Sequence, residues 1–148
     1  MRRELSVAAI ENGTVIDHIP AGKGLRIAQL LQLAKGNKTV TLGLNLPSQS
    51  MGYKDLIKVE GKEISEREAS LIALFAPNAT ISLIRAFERV EKFSVILPKE
   101  VENFLSCPNK CCLTSHEPIK SRFEVFKKGS KVELVCYYCE KGFFHDED

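Results

Sequence analysis

Five cysteines stand in the last third of the chain, at positions 107, 111, 112, 136 and 139. They form two close groups, CPNKCC and CYYC, separated by 23 residues. Thiols in two pairs, each pair on a tight loop and the loops joined by short strands, are the arrangement of a tetrahedral four-cysteine zinc site. Pro108 and Asn109 supply the turn after the first thiol. The rival reading is a pair of disulfides, which need an oxidising compartment; nothing near the N-terminus resembles a signal peptide, so reduced thiols and a cytoplasmic location are expected. Cys111 and Cys112 are adjacent and their side chains diverge, so one of them is expected to bind. Spacing permits C-x3-C through Cys111 or C-x4-C through Cys112. His116 and His145 read as surface histidines. Four thiolates leave a zinc ion no open position for water or substrate, so the metal would be structural.

No catalytic constellation accompanies this cluster. The sequence contains no G-x-S-x-G, no phosphate loop and no H-E-x-x-H. Asp17 and His18 are neighbours in an extended run, where successive side chains take opposite faces, so they are not expected to cooperate. Lys54, Lys58 and Lys92 each read, alone, as a solvated surface lysine. Converging on one sheet, they could hold a polyphosphate as point charges, with Asp17 accepting hydrogen bonds from ribose hydroxyls. Spacing leaves their convergence open.

The elements that must position these groups follow from periodicity. Residues 5–10 and 15–19 are short β-type runs, and the Asn12-Gly13 between them predicts a hairpin. Ile27, Leu30, Leu31 and Ala34 repeat as one face of a helix, with Gly36-Asn37 as its stop. Residues 39–46 alternate, predicting a strand with Val40, Leu42, Leu44 and Leu46 on the buried face. Residues 47–53 read as a loop, and 54–60 as a strand with Lys54 and Lys58 on one face. Ser65 and Glu68 form a capping box ahead of a helix that Pro77-Asn78 ends. Residues 80–90 predict a final strand, bending near Ala86, and the polar stretch from Glu91 through LPKEVEN reads as a connector.

The order β-β-α-β-β-α-β predicts an α+β class: a ferredoxin-like antiparallel sheet with both helices on one face. A small all-β, zinc-ribbon-like module follows, with short strands at FEVF and KVELVCYYC and a turn from Lys127 to Ser130. The expected domains are residues 1–97 and 98–148. The second is near the size at which a chain needs a metal to fold alone. Net charge over the 148 residues is only +2. Residues 101–148 hold seven Lys/Arg against eight Asp/Glu, including the acidic HDED tail, which argues against a nucleic-acid partner. No run approaches the roughly 18 apolar residues of a membrane span.

The strings TVIDHIPAGKGLRI, TLGLNLPSQSMGYKDLIKVE, LFAPNATISLI and the cysteine groups ending in CYYCEKGF together resemble the regulatory chain of aspartate carbamoyltransferase, over nearly the whole sequence. The resemblance implies a noncatalytic subunit that binds nucleotides in its first domain and docks a catalytic chain through its zinc domain. Regulatory dimers bridge catalytic trimers in that family. ATP activates, and CTP, often with UTP, inhibits the first committed step of pyrimidine synthesis. Carried onto this sequence, the family's site implies that the backbone of Ala9 and Ile10 lies near the base, with Asp17 at the ribose and His18 beside it. Lys54, Leu56 and Lys58 match the strand under the nucleotide, Ile84 an apolar contact and Lys92 a second phosphate lysine. Ser82 and Phe87 depart from the family, which usually has asparagine and tyrosine there. The implied zinc ligands are Cys107, Cys112, Cys136 and Cys139. Cys111 then takes a position often held by asparagine, and Asn109, Glu140 and Lys141 match the surface that meets the catalytic chain. The alternative class is a free-standing zinc-ribbon adaptor, for instance for nucleic acid. Iron at the thiolates would instead make a red electron carrier.

Overall fold

The structure, a computed structural model, describes residues 9–129 and 131–144. The chain divides into two compact units, Met1–Val95 and Ile96–Asp148. The first contains β1 (Gly13–Pro20), α1 (Gly24–Leu30), β2 (Val40–Ser48), β3 (Gly52–Glu60), α2 (Glu66–Phe75), β4 (Thr80–Arg85) and β5 (Glu88–Ser94). Its strands form one antiparallel sheet in the order β2-β3-β1-β4-β5. The first four strands in this order are the interleaved arrangement of a ferredoxin-like fold, and β5 extends it by a hairpin.

Both helices lie on one face. Ile16, Ile57 and Ile81 are directly opposite one another on β1, β3 and β4, and none has any exposed area. Ile27 of α1 and Ile72 and Leu74 of α2 are equally buried, and the Arg26 guanidinium stands 5.6 Å from the centre of the Phe75 ring, tying one helix to the other. The capping box of α2 is complete: Glu68 N–H donates to the Ser65 hydroxyl at 3.1 Å and Ser65 N–H to the Glu68 carboxylate at 3.1 Å. Partial burial raises the Glu68 pKa. The hydrogen bond from Ser65 N–H and the nearby Lys62 ammonium outweigh it and hold the carboxyl below its ordinary value. Ser65→Ala is expected to lower the stability of this unit by about 1 kcal/mol in urea unfolding followed by circular dichroism. Because the folded-state pKa of Glu68 is depressed, its contribution is present above the unfolded carboxylate pKa. It disappears as pH falls through the folded value, so the gap between wild type and variant should close in acid.

Several boundaries differ from those the sequence predicts. The first expected strand falls largely outside the described residues, and Ala9 and Ile10, which are described, belong to no strand. Helix α1 ends at Leu30, short of the Gly36 stop, because Gln32 turns left-handed at φ 55° and a 3-10 turn takes over at Leu33–Lys35. Pro47, Ser48, Gly52 and Tyr53 extend the β2–β3 ladder into the expected loop. The strand predicted over 80–90 is two strands joined by a turn at Ala86-Phe87, and the expected connector from Glu91 contains the rest of β5 and the start of the second sheet. The predicted buried face of β2 is interrupted by a bulge, and Leu44 is 47% exposed.

The second unit is a four-stranded antiparallel sheet, β6 (Glu100–Glu102), β7 (Arg122–Lys128), β8 (Lys131–Cys136) and β9 (Gly142–Phe144), paired in that order. Gly129, at φ 67°, supplies the left-handed step of the β7–β8 turn; Ser130 lies outside the described residues. Phe123, Val132 and Leu134 are its fully buried apolar side chains, and Phe143 meets the Phe123 ring edge-on at 5.5 Å. This is a small core for an independent fold.

Candidate functional site

The two cysteine loops meet beside that core. The sulfurs of Cys107, Cys112, Cys136 and Cys139 all lie within 4.8 Å of one another, with Cys107–Cys139 at 3.8 Å and Cys112–Cys136 at 3.6 Å. Four zinc–sulfur bonds of about 2.3 Å place sulfurs at tetrahedral corners about 3.8 Å apart, so this donor set fits zinc. Local hydrogen bonds shape both loops. The Asn109 carbonyl accepts from Cys112 N–H at 3.0 Å and its side-chain oxygen from Cys111 N–H at 3.1 Å. At the other loop, Glu140 N–H donates to the Cys136 carbonyl and Cys136 N–H to that of Lys141, with Glu140 left-handed at φ 64°. Cys111 is exposed and outside the cluster, and His116 is exposed, its ring against the Lys110 carbonyl. His145 lies outside the described residues.

The thiols differ in acidity. Burial pushes Cys107 up to about 12. At Cys139 burial acts the same way, but hydrogen bonds from Asn109 and Lys141 outweigh it and hold the thiol at about 6. The Thr114 hydroxyl, donating to the Cys112 sulfur at 3.2 Å, holds that thiol down. A divalent cation held by these four sulfurs would supply the field in which all four ionise together.

On the first sheet, the face away from the helices carries the residues singled out for nucleotide binding. Directly opposed residues share a face. Lys58 faces Val15, Val15 faces Ser82, and Ser82 faces Lys92, giving one row across β3, β1, β4 and β5. The row spans three strand spacings, roughly 14 Å. Lys54 and Leu56 share this face on β3, as does Ile84 on β4. Burial pulls the Lys58 pKa below the ordinary amine value, against the opposing pull of the Asp17 carboxylate. Lys54 pairs with Asp17 at 2.9 Å, both side chains about three-quarters buried. Ala9 is exposed and Ile10 buried, in the segment entering β1, which is tied to the β4–β5 turn by Phe87 N–H on the Glu11 carbonyl and Ala86 N–H on the Asn12 side chain.

Asp17 and His18 do not take opposite faces, contrary to the expectation for a regular strand. Between the pairs Ile16–Ile57 and Ile19–Asp55, two residues of β1 oppose one of β3. His18 sits in this bulge at φ 59°, its N–H donating to Asp17 Oδ1 at 2.6 Å. Its ring Nδ1 lies 3.0 Å from the Thr80 hydroxyl, and Thr80 is the residue directly opposite Asp17.

Sequence reasoning passed over Asp55, whose side chain is fully buried on the helix-covered face. Its Oδ2 accepts from Gly22 N–H at 3.0 Å and Gly24 N–H at 2.9 Å, and its Oδ1 from Asn45 N–H at 2.9 Å. A carboxylate at a core-facing strand position was the available signal, since such a group must find donors.

Comparison with known proteins accounts for both units. Residues 5–96 match the family model described as aspartate carbamoyltransferase regulatory chain, allosteric domain, and residues 99–148 match its metal binding domain. The aspartate carbamoyltransferase regulatory chain of Vibrio campbellii is 48% identical over 140 residues, covering 95% of this chain and 92% of that one. That of Photobacterium profundum is 47% identical over 140 residues, covering 95% and 91%. That of Vibrio cholerae is 46% identical over 143 residues, covering 97% and 92%. With a ferredoxin-like sheet, a four-thiol cluster and these matches along its length, the chain belongs to the family of aspartate carbamoyltransferase regulatory chains.

Proposed function

We propose that this noncatalytic chain senses nucleotides on the helix-free face of its first sheet and docks a catalytic chain through its metal unit. The observation that carries the nucleotide reading is the single cross-strand row of Lys58, Val15, Ser82 and Lys92. The two lysines approach a triphosphate from either side, leaning inward on flexible stems over Val15 and Ser82. Asp17, with Lys54 beside it, accepts from the ribose, and Leu56, Ile84 and the backbone of Ala9 and Ile10 meet the apolar parts of the ligand. ATP and CTP share ribose and triphosphate, so the lysines contribute to both, and UTP enters on the same terms. The sign of the response comes from base contacts. A nucleotide shifts the catalytic assembly only by its difference in affinity for two states, typically about 1–3 kcal/mol.

Zinc occupies the Cys107, Cys112, Cys136 and Cys139 cluster in this reading, supported by the all-sulfur donor set and its spacing. The first unit pairs with a second copy into a two-fold dimer, and such dimers bridge catalytic trimers in the cytoplasm, where thiols remain reduced. Among the described residues no helix is long and apolar enough to cross a membrane. The adaptor alternative leaves the lysine row and the allosteric-domain match without a role.

Calorimetric titration of the chain assembled with its catalytic partner tests the site. Lys58→Ala and Lys92→Ala should each weaken ATP and CTP by roughly tenfold, as loss of one partly desolvated ammonium–phosphate contact does. Catalysis without effector should be unchanged. Unaltered affinity for both nucleotides in both variants would refute the site.

A further inference from the structure

We propose that Asp55 is a positioning residue for the effector site, acting from behind the sheet. The proposal rests on the nucleotide reading of the opposite face. The Asp55 carboxylate lies on the face opposite the ligand side chains and holds the backbone amides of Gly22, Gly24 and Asn45. Two bulges flank β3 at adjacent positions: Asp17-His18 of β1 opposes Leu56, and Leu44-Asn45 of β2 opposes Asp55. Each contains a left-handed residue that is not glycine, His18 at φ 59° and Asn45 at φ 57°. Such a conformation persists only where the surroundings over-determine it.

The Asp55 carboxylate acts on the β2 bulge directly and on β1 through the loop that follows its bulge. Oδ1 holds the left-handed residue of the β2 bulge by its own N–H. Oδ2 holds Gly22 and Gly24, the loop through which β1 leaves the sheet immediately past its bulge. The end of β1 is thereby fixed to β3, with Ile19 opposite Asp55 and Pro20 opposite Lys54. The extra residue of β1 is confined to 17–18, where it turns the Asp17 carboxylate onto Lys54 at 2.9 Å. Released from Asp55, the end of β1 loses the tie between its exit loop and β3, and the Asp17–Lys54 pair is held less closely. Lys58 and Lys92 lie away from the bulge, paired with Val15 and Ser82, and keep their placement. Asp55 therefore governs the ribose end of the site and leaves the triphosphate end alone.

This division gives a readout that general loosening would not. Asp55→Asn keeps the shape but offers one oxygen where two are used, so either the Asn45 amide or the two glycine amides lose their acceptor. Gly24→Ala reaches the same carboxylate from the helix side, because an added Cβ would lie 2.8 Å from Asp55 Cβ and 2.9 Å from its Oδ2. Ser65→Ala serves as the control that weakens the same unit elsewhere. Titrate ATP, 2′-deoxyATP and inorganic tripolyphosphate into each protein assembled with the catalytic chain. Wild type and Ser65→Ala should prefer ATP over the deoxy form by roughly tenfold, the value of one charge-assisted hydrogen bond. In Asp55→Asn and Gly24→Ala that ratio should fall to about one, with tripolyphosphate affinity within about twofold of wild type. A ratio retained in either folded variant overturns the proposal. So does a parallel loss of all three ligands, or a wild type without ribose preference. Wild type that binds none of the three instead refutes the nucleotide reading itself.

Discussion

Removal of the metal should unfold residues from about 99 onward and leave the first sheet intact. The second unit has Phe123, Val132 and Leu134 as its fully buried apolar side chains, and three of its four clustered cysteines are buried. A structural zinc site contributes apparent binding energy of roughly 10–16 kcal/mol in small zinc-binding modules, against the 5–15 kcal/mol net stability of a typical domain. A metal contributing on that scale would match the whole net stability of so small a unit. The first unit has its own core across Ile16, Ile57, Ile81 and the helices, and none of it depends on a thiol. Treatment with a mercurial and a chelator, followed by limited proteolysis, should yield a resistant N-terminal fragment and a digested C-terminal one. Association with the catalytic chain should be lost; catalytic chains that stay bound would refute the docking role. Cys112→Ser should bind no stoichiometric metal by elemental analysis, whereas Cys111→Ser should retain one ion per chain and remain colourless. The reverse pattern would reassign the ligand.

The second large effect should come from Gly13→Ala. Gly13 opens β1, the central strand, and is paired with Glu60 on one side and Ile84 on the other. Its φ is 146°, and a Cβ built there would lie 2.1 Å from the Val59 carbonyl oxygen. The obstacle is backbone in the middle of the sheet, which no rotamer change relieves. Backbone strain and overpacking each cost up to about 3 kcal/mol, so a loss of about 3 kcal/mol or more is expected. Urea unfolding by circular dichroism should show a much lower midpoint for the first unit, while metal content stays at the wild-type value. A midpoint unchanged by the added methyl group would show that the Gly13–Val59 contact relaxes freely.

What the sequence revealed and what it hid have the same cause. Features set by neighbours along the chain were legible. The Ser65–Glu68 capping box, the shared face of Lys54 and Lys58 and the two thiol loops depend on spacings of three to five residues. Features set by a partner strand were not. The Ala86-Phe87 turn has neither the glycine nor the asparagine that normally marks two consecutive positive φ values. Asn12 and Glu11, more than seventy residues earlier, hold its amides. Strands β6 and β9 have three residues each, too few to show a period, and exist through pairing with β7 and β8. The apolar repeat reads on to Ala34, but the helix ends at Leu30, Ala34 is exposed, and Leu33, outside the repeat, is buried from a separate turn. The lysine row was half visible: the sequence placed Lys54 and Lys58 together, but only the register of four strands brings Lys92 into line.

The bulge at Asp17-His18 also has a bearing on descent. Ile16 and Ile19 are both fully buried, three residues apart in a strand whose side chains alternate every two. The extra residue is a phase shift that the core already accommodates. Loss of the single codon for His18 would return β1 to simple alternation, with both isoleucines still facing inward. Most one-residue deletions in a central strand throw the remaining side chains onto the wrong face; here the deletion corrects the phase. A single-codon change at this position can therefore add or remove the bulge while the core face of β1 stays in phase.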